Sequence, residues 1–190
     1  MHSKTQMDDK LKSSKADQAT VKSGILKGAV VLCVVSLLGY FFSPFRDLRL
    51  PSAADRVLFT LKWQSLSMLT LLWGIRQVGR IRFSSKAIDP THPQADALVD
   101  VPKRYLQNTL EQLIFSIFGQ LILSIHLTNQ APRVIPVLVC LFVIGRIMFW
   151  IGYSRDPMKR APGFFMTFAP NLAMCFLNVG FLFWELFSMI

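Results

Sequence analysis

Two ionisable residues of opposite sign, Glu111 and Arg146, sit within separate apolar stretches of membrane-spanning length. A charge held in hydrocarbon costs roughly 2.5–3.5 kcal/mol on insertion scales, so each marks a candidate functional position and together they suggest a pair. Arg104, Asn108 and Glu111 follow the spacing i, i+4, i+7, which places them on one helical face. Arg146 and Tyr153 are spaced so that they share a face as well. At the rise of an α-helix, Glu111 stands about 10 Å from Arg104 along its axis, and Arg146 about 10 Å from Tyr153. If Arg104 and Tyr153 mark one membrane boundary on antiparallel helices, acid and guanidinium meet at one depth. Arg155, Lys159 and Arg160 arrive at the same mouth. The expectation is a cation-rich pocket ending in a buried ion pair. Such a pocket suits a small polyanion, because guanidinium forks bind carboxylates at two points. An arginine beside a bound thiol would also favour its thiolate. A plainer role fits the same residues: a buried Glu–Arg pair can fix helix register, and the three cations can be a positively charged flank.

The elements that would carry these residues follow from composition. Hydrophobic residues make up 52% of 190 and charged residues 17%, with 16 phenylalanines, which excludes a disordered chain and departs from a soluble domain. Five apolar runs approach or reach the length needed to cross a bilayer core of about 30 Å. They are Ile25–Phe42, Val57–Ile75, Tyr105–Leu127, Val134–Tyr153 and Gly163–Phe187. The second carries Lys62 and Gln64, and a long lysine can reach the headgroups from there. The fold class expected is an all-α membrane protein with five transmembrane helices: a four-helix domain over 55–190 preceded by one extra N-terminal span at 25–42. Residues 1–24, rich in Lys, Ser, Asp and Gln, are expected to form a disordered tail. Residues 84–102, with their prolines and acids, read as an extended loop. Gly24 and Gly28 form a GxxxG spacing that lets helices approach closely.

The net charge of +10 is distributed by loop. One side of the membrane would hold Lys4, Lys10, Lys12, Lys15, Lys22, Lys27, Arg76, Arg80, Arg82, Lys86, Lys103, Arg104, Arg155, Lys159 and Arg160. The other would hold Arg46, Arg49, Arg56 and Arg133. The positive-inside rule therefore places the N-terminus in the cytosol and the C-terminus outside or in a lumen. A nucleic-acid surface has no need of such alternation, so no nucleic-acid partner is expected. Cys33, Cys140 and Cys175 all fall in spans without CxxC spacing, and His2, His92 and His126 are scattered, so neither a disulfide framework nor a metal site is expected. No Gly-rich phosphate loop is present.

Arg104-x-x-x-Asn108-x-x-Glu111, the string GRIMFWIGY over Gly145–Tyr153, and Arg160-Ala161-Pro162-Gly163-Phe164 occur in order. Together they resemble the MAPEG superfamily, the membrane-associated proteins of eicosanoid and glutathione metabolism, over roughly residues 55–190. The resemblance implies a four-span subunit, so Ile25–Phe42 would be an addition to it. It implies a homotrimer in which glutathione lies between neighbouring subunits near the cytosolic face. By that resemblance Arg104, Asn108 and Glu111 would contact the tripeptide, Tyr153 would pack or hydrogen-bond beside it, and Arg146 would brace Glu111. Arg160 would stabilise the thiolate, making Arg160 and Tyr153 the candidate catalytic residues.

The chain departs from the family pattern at Gln107, where some members carry a second arginine, and at Gln112 and Phe149, where others carry tyrosines. Phe164 stands where some place the arginine. Two functions are therefore expected as alternatives. One is a glutathione-dependent transferase or peroxidase acting on a lipophilic substrate from the bilayer. The other is a non-catalytic use of the scaffold in endomembrane trafficking or in regulating other membrane proteins. Membrane lipids are the expected surroundings, and the endoplasmic reticulum, Golgi or lysosome the expected location.

Overall fold

The computed structural model describes residues 2–45, 47–128 and 131–189, with side chains described from Ser14 onward. Arg46 and the side chains of His2, Lys4, Lys10 and Lys12 lie outside the described residues. Six α-helices run in order: α1 (His2–Phe41), α2 (Ala53–Phe83), α3 (Ala95–Leu98), α4 (Asp100–His126), α5 (Val134–Tyr153) and α6 (Ala161–Ser188). A 3-10 turn at Lys86–Ile88 precedes α3, and another at Pro157–Arg160 joins α5 to α6.

Helices α2, α4, α5 and α6 form the bundle. α4 packs on α2, α5 and α6, while α5 also meets α2 and α6. α1 lies outside this set against α5 and α6. The packing departs from that of a soluble protein, with many polar residues inside and large apolar ones outside. Arg146, Thr60, Ser67, Thr109 and Ser124 are fully buried, whereas Phe176 is 70% and Phe118 61% exposed. Polar groups inside and a continuous apolar exterior are what a hydrocarbon solvent selects. This is an all-α integral membrane protein.

By length and composition, α4, α5, the Ser14–Phe41 part of α1 and Pro157–Ser188 are apolar enough to cross a membrane. α2, expected to be a fifth span, is 31 residues long, about 47 Å at helical rise, but does not reach that apolarity. The reason is Lys62 on its exposed face together with the buried Thr60, Gln64, Ser67 and Thr70 on its inner face, which lower its average.

Two other expectations are corrected. The helix does not begin at the apolar run near Ile25 but continues back through the Lys- and Ser-rich segment, so the described part of the tail is helical. Lysine, glutamine and alanine are good helix formers, and α1 is already nucleated by its docked half. The 84–102 segment is not extended either. Ala87, Ala95 and Val99 form a small apolar cluster with Ile81. Asp89 accepts hydrogen bonds from the Thr91 backbone and hydroxyl at 2.8 and 2.6 Å, which hold its carboxyl below the usual range. The Lys103 ammonium, 2.9 Å from Asp96, does the same there.

The GxxxG spacing is used as anticipated. Gly24 and Gly28 are buried where α1 crosses the start of α6. A Cβ on Gly28 would lie 2.6 Å from the Pro162 carbonyl oxygen. At the other end Arg133 donates to the Tyr40 hydroxyl and stacks 4.0 Å from its ring. Gly28→Leu should therefore lift α1 off α6 and leave the four-helix bundle folded. Limited proteolysis would then release the N-terminal segment several-fold faster at unchanged helicity. An unaltered digestion pattern would show that the crossing contributes little.

Candidate functional site

The side chains that the sequence singles out converge where α4 begins, α5 ends and α6 begins. The face of α4 toward the bundle carries Tyr105, Thr109, Gln112, Leu113, Ser116 and Gln120, at alternating steps of a helical stripe. The stripe Arg104–Asn108–Glu111 runs along its edge. Asn108 is half-buried, while Arg104 and Glu111 are exposed.

Arg146 is fully buried, and its partners are neutral. It donates to Asn108 Oδ1 at 2.8 Å and to the Thr167 hydroxyl. Its guanidinium carbon stands 4.7 Å from the centroid of Phe149 and 5.9 Å from that of Phe142. Its Nε has no partner among the described residues. The expected Glu111–Arg146 ion pair is not formed within the chain. Glu111 turns outward and accepts from Gln107 Nε2 at 2.9 Å. Arg146 instead meets Asn108, which precedes Glu111 on α4 by about 4.5 Å along the axis. The predicted face was wrong by about 60° of rotation, the angle separating residues three apart on a helix.

In front of Asn108 opens a cavity of about 600 Å³. Arg104 and Asn108 line it from α4, Phe149 and Tyr153 from α5, and Arg160 from the connecting turn. Phe164, Phe165 and Phe168 supply an apolar wall from α6, and Val21 and Ile25 close it from α1. Tyr153 is buried beneath the mouth, with the Arg160 guanidinium 5.4 Å from its ring centroid. Arg104 forms an i, i+4 ion pair with Asp100 at 2.8 Å. Among the described residues Arg160 donates to the Pro157 carbonyl, three residues back. Four of the predicted residues, Arg104, Asn108, Tyr153 and Arg160, thus share one cavity. Arg146 stands directly behind Asn108, and Glu111 lies outside.

Several residues of the interior were not anticipated. Gln64 donates to Gln120 Oε1 at 2.8 Å, and Gln120 donates to Ser116 at 2.9 Å. Asn171 donates to the backbone and side chain of Gln112, and Asn178 to the Gly119 carbonyl. Arg56 binds the carbonyls of Leu50, Pro51, Ser124 and Ile125. The signal was present: amides within apolar runs, with Asn171 and Asn178 two turns apart, are the residues expected to face other helices. The contribution of α1 to the cavity carried no such signal. Cys33, Cys140 and Cys175 are free and exposed.

Comparison with known proteins bears on what this arrangement is. The MAPEG family model matches residues 60–180, well over half of the chain. The chain belongs to the MAPEG family. It is similar to Transmembrane protein 79 (mattrin) of Bos taurus, 28% identical over 159 residues that cover 82% of this chain and 40% of the relative. Transmembrane protein 79 of Mus musculus is 27% identical over 145 residues, covering 76% of this chain and 37% of that protein. This MAPEG chain therefore spans about two fifths of the length of these curated relatives. No solved structure matches it.

Proposed function

We propose that this MAPEG protein binds glutathione in the cavity between α4, α5 and α6 and presents its thiol to lipophilic electrophiles from the bilayer. One observation carries the reading: Arg104, Asn108, Tyr153 and Arg160 line a single cavity of about 600 Å³. Their chemistry fits the ligand. Two guanidinium groups and a carboxamide suit the carboxylates and amides of a tripeptide. The phenylalanine wall suits an apolar second substrate. Glutathione supplies a thiol nucleophile, and a thiolate is favoured beside a fixed cation. The Arg160 guanidinium stands 5.4 Å from the Tyr153 ring centroid, so Arg160 and Tyr153 are the residues assigned to that end. Arg146 acts from behind, orienting Asn108.

The proposal extends to assembly and location. Glu111 is an exposed carboxylate on a spanning helix with only neutral Gln107 as a partner. Facing lipid, such a charge is costly. Burial against a neighbouring copy removes it from hydrocarbon, which supports a homotrimer with its site completed between subunits. The basic end is assigned to the cytosol by its cations, in an endomembrane.

Calorimetric titration of the purified chain with glutathione tests the proposal. Affinity is expected between micromolar and millimolar. Arg104→Ala and Arg160→Ala should each weaken it about 10- to 100-fold, the loss of a charge-assisted hydrogen bond. No detectable binding, or variants as tight as the parent, would remove the reading.

A second reading, binding without turnover, is favoured by one feature. Gln107 and Gln112 replace groups that some family members use, and here both are engaged elsewhere, with Glu111 and with Asn171. On that reading the scaffold serves endomembrane trafficking or regulation of other membrane proteins. The double variant Tyr153→Phe, Arg160→Ala should then retain cellular activity, and its loss would return the balance to catalysis.

A further inference from the structure

A second cleft, of about 480 Å³, lies on the other side of α1 from the main cavity. Its walls include Thr20, Ser23, Gly24 and Lys27 of α1 and Met158 and Lys159 of the turn between α5 and α6. We propose that this cleft binds a phosphate-bearing anion, with a membrane lipid headgroup as its source.

Three observations support the assignment. First, the chemistry is complementary: Lys27 and Lys159, from different elements, line one space with Ser23 and with Thr20, whose hydroxyl donates to the Ala16 carbonyl at 3.0 Å. Neither Lys27 nor Lys159 has a carboxylate partner among the described residues. The nearby acids among those residues form no ion pair with either lysine. Asp156 accepts from the Met158 backbone N–H at 2.8 Å, and Asp17 lies about 15 Å along α1 from Lys27 at helical rise. Second, the cleft sits where α1 enters its apolar run and α5 ends, which is headgroup depth for helices spanning a bilayer. A phosphomonoester there carries a charge of about −1.5 to −2 and three acceptor oxygens. Third, the cleft is built from two elements that must stay together for the main cavity to keep its wall. Met158 lines both spaces, and Val21 and Ile25 project from α1 into the other one. An anion held between Lys27 and Lys159 pins α1 to the turn that carries Arg160. The site does not depend on the nature of the ligand in the main cavity.

The test uses the full chain in phosphatidylcholine nanodiscs and measures retention of dioctanoyl phosphatidic acid by native mass spectrometry. Near a membrane surface each lysine contributes about 1 kcal/mol. Lys27→Gln with Lys159→Gln should therefore weaken retention about 30-fold. Lys15→Gln with Lys22→Gln removes the same charge from the opposite face of α1 and should leave retention nearly unchanged. Inorganic phosphate in excess identifies the source: failure to displace the lipid supports a headgroup, and displacement at matched concentration supports the same cleft filled by a free anion. Equal losses in the two double variants, or no retention by the parent chain, would overturn the proposal.

Discussion

Gly163→Ala should be among the most destabilising single substitutions in this chain. α5 and α6 make their closest approach at Gly163, and a Cβ there would lie 2.2 Å from the Phe149 backbone nitrogen and 2.5 Å from the Gly145 carbonyl oxygen. Both are main-chain atoms of α5, so no rotamer change can relieve the overlap. The helices must separate, and separation disrupts the contacts that hold Phe149, Thr167 and the end of α5. Overpacking usually costs about 1–3 kcal/mol where side chains can yield; against backbone the cost should reach about 4 kcal/mol or more. That loss is a large fraction of the total stability of a folded domain. The check is thermal unfolding and size-exclusion behaviour in detergent. A melting temperature within a few degrees of the parent would mean that α5 and α6 do not cross where described.

Arg146→Met should separate stability from binding. The guanidinium is fully buried with no acid beside it, compensated by Asn108, Thr167 and two aromatic faces. Burial of a cation without a counter-charge is costly, so apolar replacement relieves a desolvation penalty that offsets the donor lost to Asn108 and Thr167. Methionine also avoids much of the void that alanine would leave. The melting temperature should hold or rise. Asn108, however, loses the donor that fixes its carboxamide at the cavity, and the local positive charge disappears. Glutathione affinity should fall about 10- to 100-fold, the equivalent of one charge-assisted hydrogen bond. A variant that unfolds but binds normally when refolded would make Arg146 a structural residue alone.

The legible parts of the fold were those governed by apolar length. The run Val134–Tyr153 coincides with α5, and Gly163–Phe187 lies within α6, which extends only slightly beyond it. Apolarity measures lipid contact rather than helicity, which is why α2 continues past Ile75 to Phe83 and α1 runs back through the tail. Helical spacing grouped Arg104 with Asn108, which share one cavity, and brought Arg146 to within one turn of its partner on α4. It could not choose between Asn108 and Glu111 as the partner, because residues three apart differ by only about 60° around the axis. That choice is made by how α4 rotates to bury Thr109, Gln112, Ser116 and Gln120, with Gln120 bonded to Gln64 of α2 and Gln112 to Asn171 of α6. The second wall of the cavity was invisible for a similar reason. Val21 reads as part of the tail and Ile25 as an ordinary anchor residue until the close approach of Gly24 and Gly28 to Pro162 brings both to the cavity.

The most direct measurement is a density map of the full chain, reconstituted in lipid and saturated with glutathione. Density for the tripeptide should lie among Arg104, Asn108, Tyr153 and Arg160, with its carboxylates toward the guanidinium groups and its sulfur toward Arg160. A clear map with that cavity filled by α1 or lipid, and no tripeptide at saturation, would contradict the account.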